Sequence, residues 1–372
     1  MSSNSNPSQS SPSSSLSSPS SNNIDQSKLE EFIMKAVGDM ASSLGAMMII
    51  LGDRLGLYKA MAKSGPVTSE ELASKTNTAE RYIREWLASQ AAAGYITYNP
   101  KEKRFFLPAE NAMVLANEDS PTFMLGSYQI LRSVFKDEDK FVDIFKSGKG
   151  LRWGDHHHDL FEGTAKFFKP NYISNLIPSW IPSLDGIQEK LKQGAKVADI
   201  GCGYGVPTII MAKEYPNSKF YGFDNHEVSI EAAKKLAQKE GVSDRVEFDV
   251  VSANDSIGND FDLIAFFDCL HDMADPVGAL KFAKQSMKND GVCMIIEPMA
   301  NDRIEDNLNL IGKIYYAASS IICVPNSLAD EGIALGAQAG EKKTREVVEK
   351  AGFTKFRRAT ETPFNIVYEV KI

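Results

Sequence analysis

Apolar residues recur at three- and four-residue intervals through Leu29, Phe32, Ile33, Ala36, Val37 and Met40, which predicts a helix with one apolar face. Further helical faces follow over 46–61, with a break expected near Gly52 and Gly56, over 68–75, and over 79–93. The segment 68–75 opens on Thr68 and Ser69 with acids in its first turn, a capped start. The period then falls to two across 95–107, around a turn at Asn99-Pro100, which predicts a hairpin. A helical stretch over 121–181 carries many aromatic residues, among them Trp153, Phe161, Phe168 and Tyr172. From Leu184 onward strand and helix alternate, with strands expected at 196–200, 219–223, 246–251, 261–267, 291–297, 355–360 and 364–370. That alternation predicts an open, mostly parallel α/β sheet with helices on both faces.

These patterns divide the chain into a Ser/Asn/Pro-rich tail over 1–23, a first domain over 24–118, a helical bridge over 119–183 and an α/β domain over 184–372. The tail has too little apolar surface to offset the entropy of folding and is expected to be disordered. Three helices and a hairpin make the first domain a winged helix. A net charge of −8 argues against nucleic acid and anionic membranes as partners, and no unbroken apolar run approaches the ~18 residues of a membrane span. Cys202, Cys269, Cys293 and Cys323 form no CxxC pair and no cleavable leader precedes them, as suits a soluble protein of the reducing cytoplasm.

Chemistry enters at the end of the first α/β strand, where VADIGCGYG places Asp199, Gly201, Gly203 and Gly205 at alternate positions before a helix. Glycines there permit positive φ and the close approach of a ligand. A nicotinamide fingerprint would need glycine at position 206, where this chain has Val206, so a dehydrogenase is disfavoured. In an open sheet the ligand sits beyond the carboxyl ends of the strands, which makes the strand-terminal residues the ones to read. The second strand ends at Asp224, whose carboxylate can accept hydrogen bonds from both hydroxyls of a ribose.

The GxGxG loop resembles the first motif of class I S-adenosylmethionine (SAM) methyltransferases. That resemblance implies a Rossmann-like seven-stranded sheet closed by an antiparallel pair, with an N-terminal all-helical winged-helix domain whose hairpin is the wing. It implies SAM as cofactor, held by Asp199, Gly201, Gly203, Gly205, Asp224, Ser252 and Asp268. Ser252 stands where relatives place the acid that receives the adenine amino group. The sequence CLHDM at 269–273 is similar to the histidine motif of O-methyltransferases, which implies His271 as general base, with Glu297 or Asp272 orienting it. A neutral imidazole is suited to take the proton of a hydroxyl as it attacks a methyl group. The winged helix of those relatives dimerises, which implies a homodimer acting on a small-molecule hydroxyl.

Two alternatives stand beside this expectation: an N- or S-methyltransferase that needs no base, and a SAM-responsive regulator that binds DNA through the winged helix. The run His156-His157-His158 is expected to be a polar loop and not a metal site, since adjacent residues cannot easily aim three imidazoles at one ion. The long insertion 301–341 is expected to form an apolar, aromatic substrate wall, to pack against the N-terminal domain, or both.

Overall fold

The N-terminal periodicity produces one long helix where two were expected. In the computed structural model, which describes residues 24–252, 255 and 257–372, helix α1 runs Gln26–Arg54 without a break at Gly52. A β-carbon at Gly52 would lie 2.5 Å from the Tyr58 ring and 2.7 Å from Trp86, so close packing, and not a bend, requires glycine there. The break comes at Gly56, with φ 68°, and α2 follows at Leu57–Ser64. The tail expected to be disordered, 1–23, lies outside the described residues.

The described residues divide into two units, one ending at Ala46 and the other running Met47–Ile372. In the first, Phe32, Ile33, Met34, Met40 and Leu44 are all exposed. Helix α1 is long and apolar enough to cross a membrane by length and composition, so the sequence expectation holds only for unbroken apolar runs.

The second unit opens with the winged helix. Helix α3, Ser69–Thr76, starts on the expected cap: the Thr68 side chain accepts from Glu71 N while the Glu71 carboxylate accepts from Thr68 N. Helix α4, Glu80–Ala92, buries Ile83, Trp86 and Leu87 against Leu57, Tyr58 and Leu72. The wing is the antiparallel pair β1, Thr97–Asn99, and β2, Arg104–Phe106. Three arginines of this domain pair with its own acids: Arg104 of the wing forks onto Glu71 at 2.7 and 2.8 Å, and in α4 Arg84 pairs with Glu80 and Arg81 with Glu85. Helices α5 (Ala109–Leu115), α6 (Leu125–Lys136), α7 (Glu138–Ser147) and α8 (Asp159–Asn175) lead toward the sheet, which α9, Ile187–Gln193, immediately precedes.

The sheet comprises β3 (Lys196–Ile200), β4 (Lys219–Asp224), β5 (Val246–Val250), β6 (Phe261–Phe267), β7 (Met287–Pro298), β8 (Lys355–Glu361) and β9 (Asn365–Lys371). Their spatial order is β5-β4-β3-β6-β7-β9-β8, parallel from β5 to β7 and antiparallel over the last two. One face is covered by a core including Trp180, Ile209, Phe220 and Phe248, the other by one including Ile264, Leu280, Val348 and Phe353. Strands buried on both faces read as continuous apolar runs, as in FDLIAFF of β6. Strand order reverses between β3 and β6, so a crevice forms at the carboxyl ends of the central strands. Gly201, Asp224, Asp268 and Glu297 all lie at or just past those ends.

Candidate active site

Beyond β3 the chain turns through Gly201, Gly203 and Gly205, with φ of 72°, 51° and 68°, into α10, Val206–Glu214. The three glycines answer different constraints. A β-carbon at Gly205 would lie 2.3 Å from the Phe248 ring, and one at Gly201 would lie 2.8 Å from Cys269 Sγ. At Gly203 it would meet nothing within 4 Å, so this is where the loop lies open to a ligand.

Asp224 ends β4, ahead of α11, Glu227–Lys239. Its two oxygens accept separately from the Gly203 N–H at 2.8 Å and the His226 N–H at 2.9 Å. Backbone N–H groups do not use up its lone pairs, so the carboxylate can still receive a hydroxyl. Burial raises its pKa against these hydrogen bonds. The His226 ring beside it bonds Ser229 Oγ at 2.7 Å and meets Phe161 edge-on, which in turn lies 5.5 Å from Trp153. Asp199 is placed differently: it is fully buried behind the loop, bonded to Thr208 of α10, with Oδ1 unpartnered and its pKa pushed up by burial to about 7. Ser252 is exposed just past β5, where its carbonyl accepts from Asp255 N at 2.9 Å.

Past β6, Asp268 takes a left-handed conformation, φ 51°, and the turn Leu270–Asp272 brings His271 under the sheet edge. His271 Nδ1 lies 2.7 Å from Glu297 Oε2, which comes from the end of β7, and both side chains are buried. Burial lowers the imidazole pKa, but Glu297, with a further contribution from Cys323, outweighs it and holds the pKa well above the ordinary histidine range. Asp268 accepts from Asn365 Nδ2 at 2.6 Å and from the Tyr172 hydroxyl at 3.4 Å. Burial and the neighbouring Glu297 push its pKa to about 8. Asp272 is pushed to about 7, again mainly by burial.

Several of these contacts lay beyond the sequence. Asn365 and Tyr172 reach Asp268 from positions 97 and 96 residues away. Asn326 accepts from Trp153 N at 2.9 Å and donates to the Asp272 carbonyl at 3.1 Å, tying the histidine turn to the bridge segment. Asn326 belongs to the insertion, in α13 (Val324–Ala329), after α12 (Leu310–Ala318). Tyr315 of that insertion bonds the Phe364 carbonyl, whereas Leu308, Leu310 and Ile314 stay exposed.

The histidine run is split. His156 is buried with Nδ1 3.5 Å from Asp137, and burial lowers its pKa. His157, His158 and Asp159 offer ligand atoms within 4.8 Å of one another, but Asp159 is already paired with Arg132 at 3.0 Å.

Residues 191–352 match a family model described as a methyltransferase domain, and residues 43–117 one described as an Rv2258c-like winged HTH domain. Among curated relatives, the chain is 24% identical over 209 residues to a ribosomal protein L11 methyltransferase of Thermosipho africanus, covering 54% of this chain and 71% of that one. It is 30% identical over 134 residues to a ubiquinone biosynthesis O-methyltransferase of Actinobacillus pleuropneumoniae, covering 34% of this chain and 53% of that one, about half its length. Among solved structures, an O-methyltransferase family protein from Burkholderia thailandensis superposes with a TM-score of 0.70 at 15% identity, covering 91% and 98% of the two chains. Human N-acetylserotonin methyltransferase in complex with SAM superposes with a TM-score of 0.68 at 16% identity, covering 95% and 99%.

Proposed function

We propose, for a chain that is an S-adenosylmethionine-dependent methyltransferase behind an Rv2258c-like winged helix domain, that it methylates a hydroxyl of a small molecule with His271 as general base. The observation that carries this reading is the buried 2.7 Å contact of His271 Nδ1 with Glu297 at the sheet's carboxyl edge. The cofactor's site fits: Gly203 is open, Asp224 retains acceptor capacity for a ribose, and the neighbouring acids suit a positively charged molecule.

When bound, SAM supplies an electrophilic methyl group. The chain's own residues do the rest. Glu297 holds His271 Nδ1–H and so leaves Nε2 as the proton acceptor. As the acceptor oxygen attacks, its proton passes to Nε2, and Glu297 stabilises the imidazolium that forms. Asn365 and Tyr172 fix Asp268 beside this pair, and Asn326 anchors the turn that carries it. We infer also that the exposed apolar face of α1 is covered by a second copy in a homodimer, and that the enzyme works in the cytoplasm, consistent with four free cysteines. The DNA-binding alternative loses support because Arg81, Arg84 and Arg104 are spent on carboxylates of the same domain.

The deciding experiment pairs calorimetric titration of SAM with turnover of His271→Ala. Retained SAM binding with turnover reduced by roughly 10²–10⁴ fits base catalysis. A variant that turns over at near wild-type rate would instead identify a nitrogen or sulfur acceptor.

A further inference from the structure

The carboxyl edge of the sheet gathers five acids, Asp199, Asp224, Asp268, Asp272 and Glu297, with two histidines among them, His271 beside Glu297 and His226 beside Asp224. Among the described residues, no lysine or arginine forms an ion pair or hydrogen bond with any of the five. Their partners are backbone N–H groups, Thr208, Tyr172, Asn365 and His271. Elsewhere buried acids are paired normally: Asp159 with Arg132 and Lys136, Asp262 with Lys288, Glu369 with Arg357 and Lys371. The missing cations are therefore a property of this site.

Two details show that Asp268, Asp272 and Glu297 face ligand space and are not merely core. Asp268 and Asp272 keep accessible surface although they lie deep in the protein, which means that they open into a cleft. Glu297, 7% exposed, uses Oε2 for His271 and leaves Oε1 without a hydrogen-bond partner. Asp268 feels the charges of both Glu297 and His271, and its φ of 51° holds it in a conformation that few residues other than glycine, asparagine and aspartate adopt.

Building on the methyltransferase reading, we propose that this site selects its methyl acceptor by charge, admitting neutral or cationic molecules and rejecting anionic ones, with Asp268 as the specificity-determining residue. A carboxylate or phosphate on the acceptor finds no lysine or arginine paired with this site, and the one raised histidine is already held by Glu297, so the anion sheds its hydration without compensation. An ammonium finds acids to pair with, and an uncharged hydroxyl compound loses little.

The test uses SAM carrying a labelled methyl group and a library of hydroxylated compounds that includes tyramine, tyrosol and 3-(4-hydroxyphenyl)propionate, one phenol with a cationic, a neutral and an anionic arm. At pH 9, where Asp268 is ionised, label should enter neutral or cationic members at least ~10-fold faster than anionic counterparts, the equivalent of one log unit of discrimination. Asp268→Asn, which keeps the shape, the Asn365 contact and the left-handed backbone, should shrink that gap. Anionic acceptors labelled as fast as the others, or a gap unmoved by Asp268→Asn, would overturn the proposal. A second readout needs no acceptor: NMR titration of the His271 imidazole, whose pKa should fall in Asp268→Asn because the negative charge that Asp268 acquires above about pH 8 is gone. If no compound takes label, an unmoved histidine sinks the proposal and a lowered one sustains it. Loss of SAM binding in calorimetry would fail the methyltransferase reading separately.

Discussion

At the scale of single residues, the His271–Glu297 pair carries a consequence for pH. A base must be neutral to accept a proton, yet Glu297 holds the His271 pKa well above its ordinary value. The active fraction therefore grows as pH rises, and kcat/KM should climb through a limb lying above the pH of about 6.5 at which a free histidine titrates. Glu297→Gln removes the charge that raises the pKa. Its limb should shift toward lower pH while the plateau falls by roughly 10–100-fold, because the imidazolium loses its partner and its ring its orientation. A pH–rate profile whose limb stays in place in Glu297→Gln would mean that another group titrates. The histidine itself was legible in the sequence because its motif is local, CLHDM at a strand end. Its environment was not: Cys323 and Asn365 arrive from distant segments with no local signature.

At the scale of elements, the glycine loop separates fold from ligand. Gly205→Ala drives a β-carbon into the Phe248 ring at positive φ and should cost on the order of 2 kcal/mol or more, read as a lowered melting temperature. Gly203→Ala meets no protein atom, so the cost is confined to the backbone strain of positive φ, on the order of 1 kcal/mol. It should instead weaken SAM in calorimetry. Equal effects of the two substitutions on both readouts would refute this division. From spacing alone the three glycines were one motif, because the sequence cannot show that Phe248 lies behind one and open space beside another. The same blindness explains Gly52, which the pattern marked as a helix break and the fold uses for contact with Tyr58 and Trp86. Strand positions were more legible, since two buried faces force unbroken apolar runs such as FDLIAFF. Helix α1 offers the clearest elemental prediction of assembly. Phe32, Met34, Met40 and Leu44 expose a large apolar area, and replacing Phe32 and Met40 by Glu should convert a dimer to monomers in light scattering. A wild-type chain that is already monomeric at micromolar concentration would end that idea.

At the scale of the whole molecule, the unpaired acids set how stability depends on pH. Asp199 and Asp272 titrate at about 7 and Asp268 at about 8 in the fold, against about 3.9 in an unfolded chain. Between those values the folded protein keeps protons that the unfolded chain has released. Stability is therefore highest below the unfolded value and falls as pH rises, by up to on the order of 1.4 kcal/mol per pH unit for each retained proton, until the folded pKa is passed. His271, also raised, has the same sign: its contribution is full below about 6.5 and is lost as pH climbs through the folded value. The melting temperature should thus drop between pH 5 and pH 8, and Asp268→Asn should flatten the upper part of that drop. A cation bound beside these acids lowers their pKa values and restores what deprotonation costs. SAM should accordingly raise the melting temperature more at pH 8 than at pH 5, and more than its demethylated product, which lacks the sulfonium charge, does at the same degree of saturation. A shift independent of pH, or equal for the two ligands, would show that the acids are compensated from within the protein and do not sense the cofactor's charge.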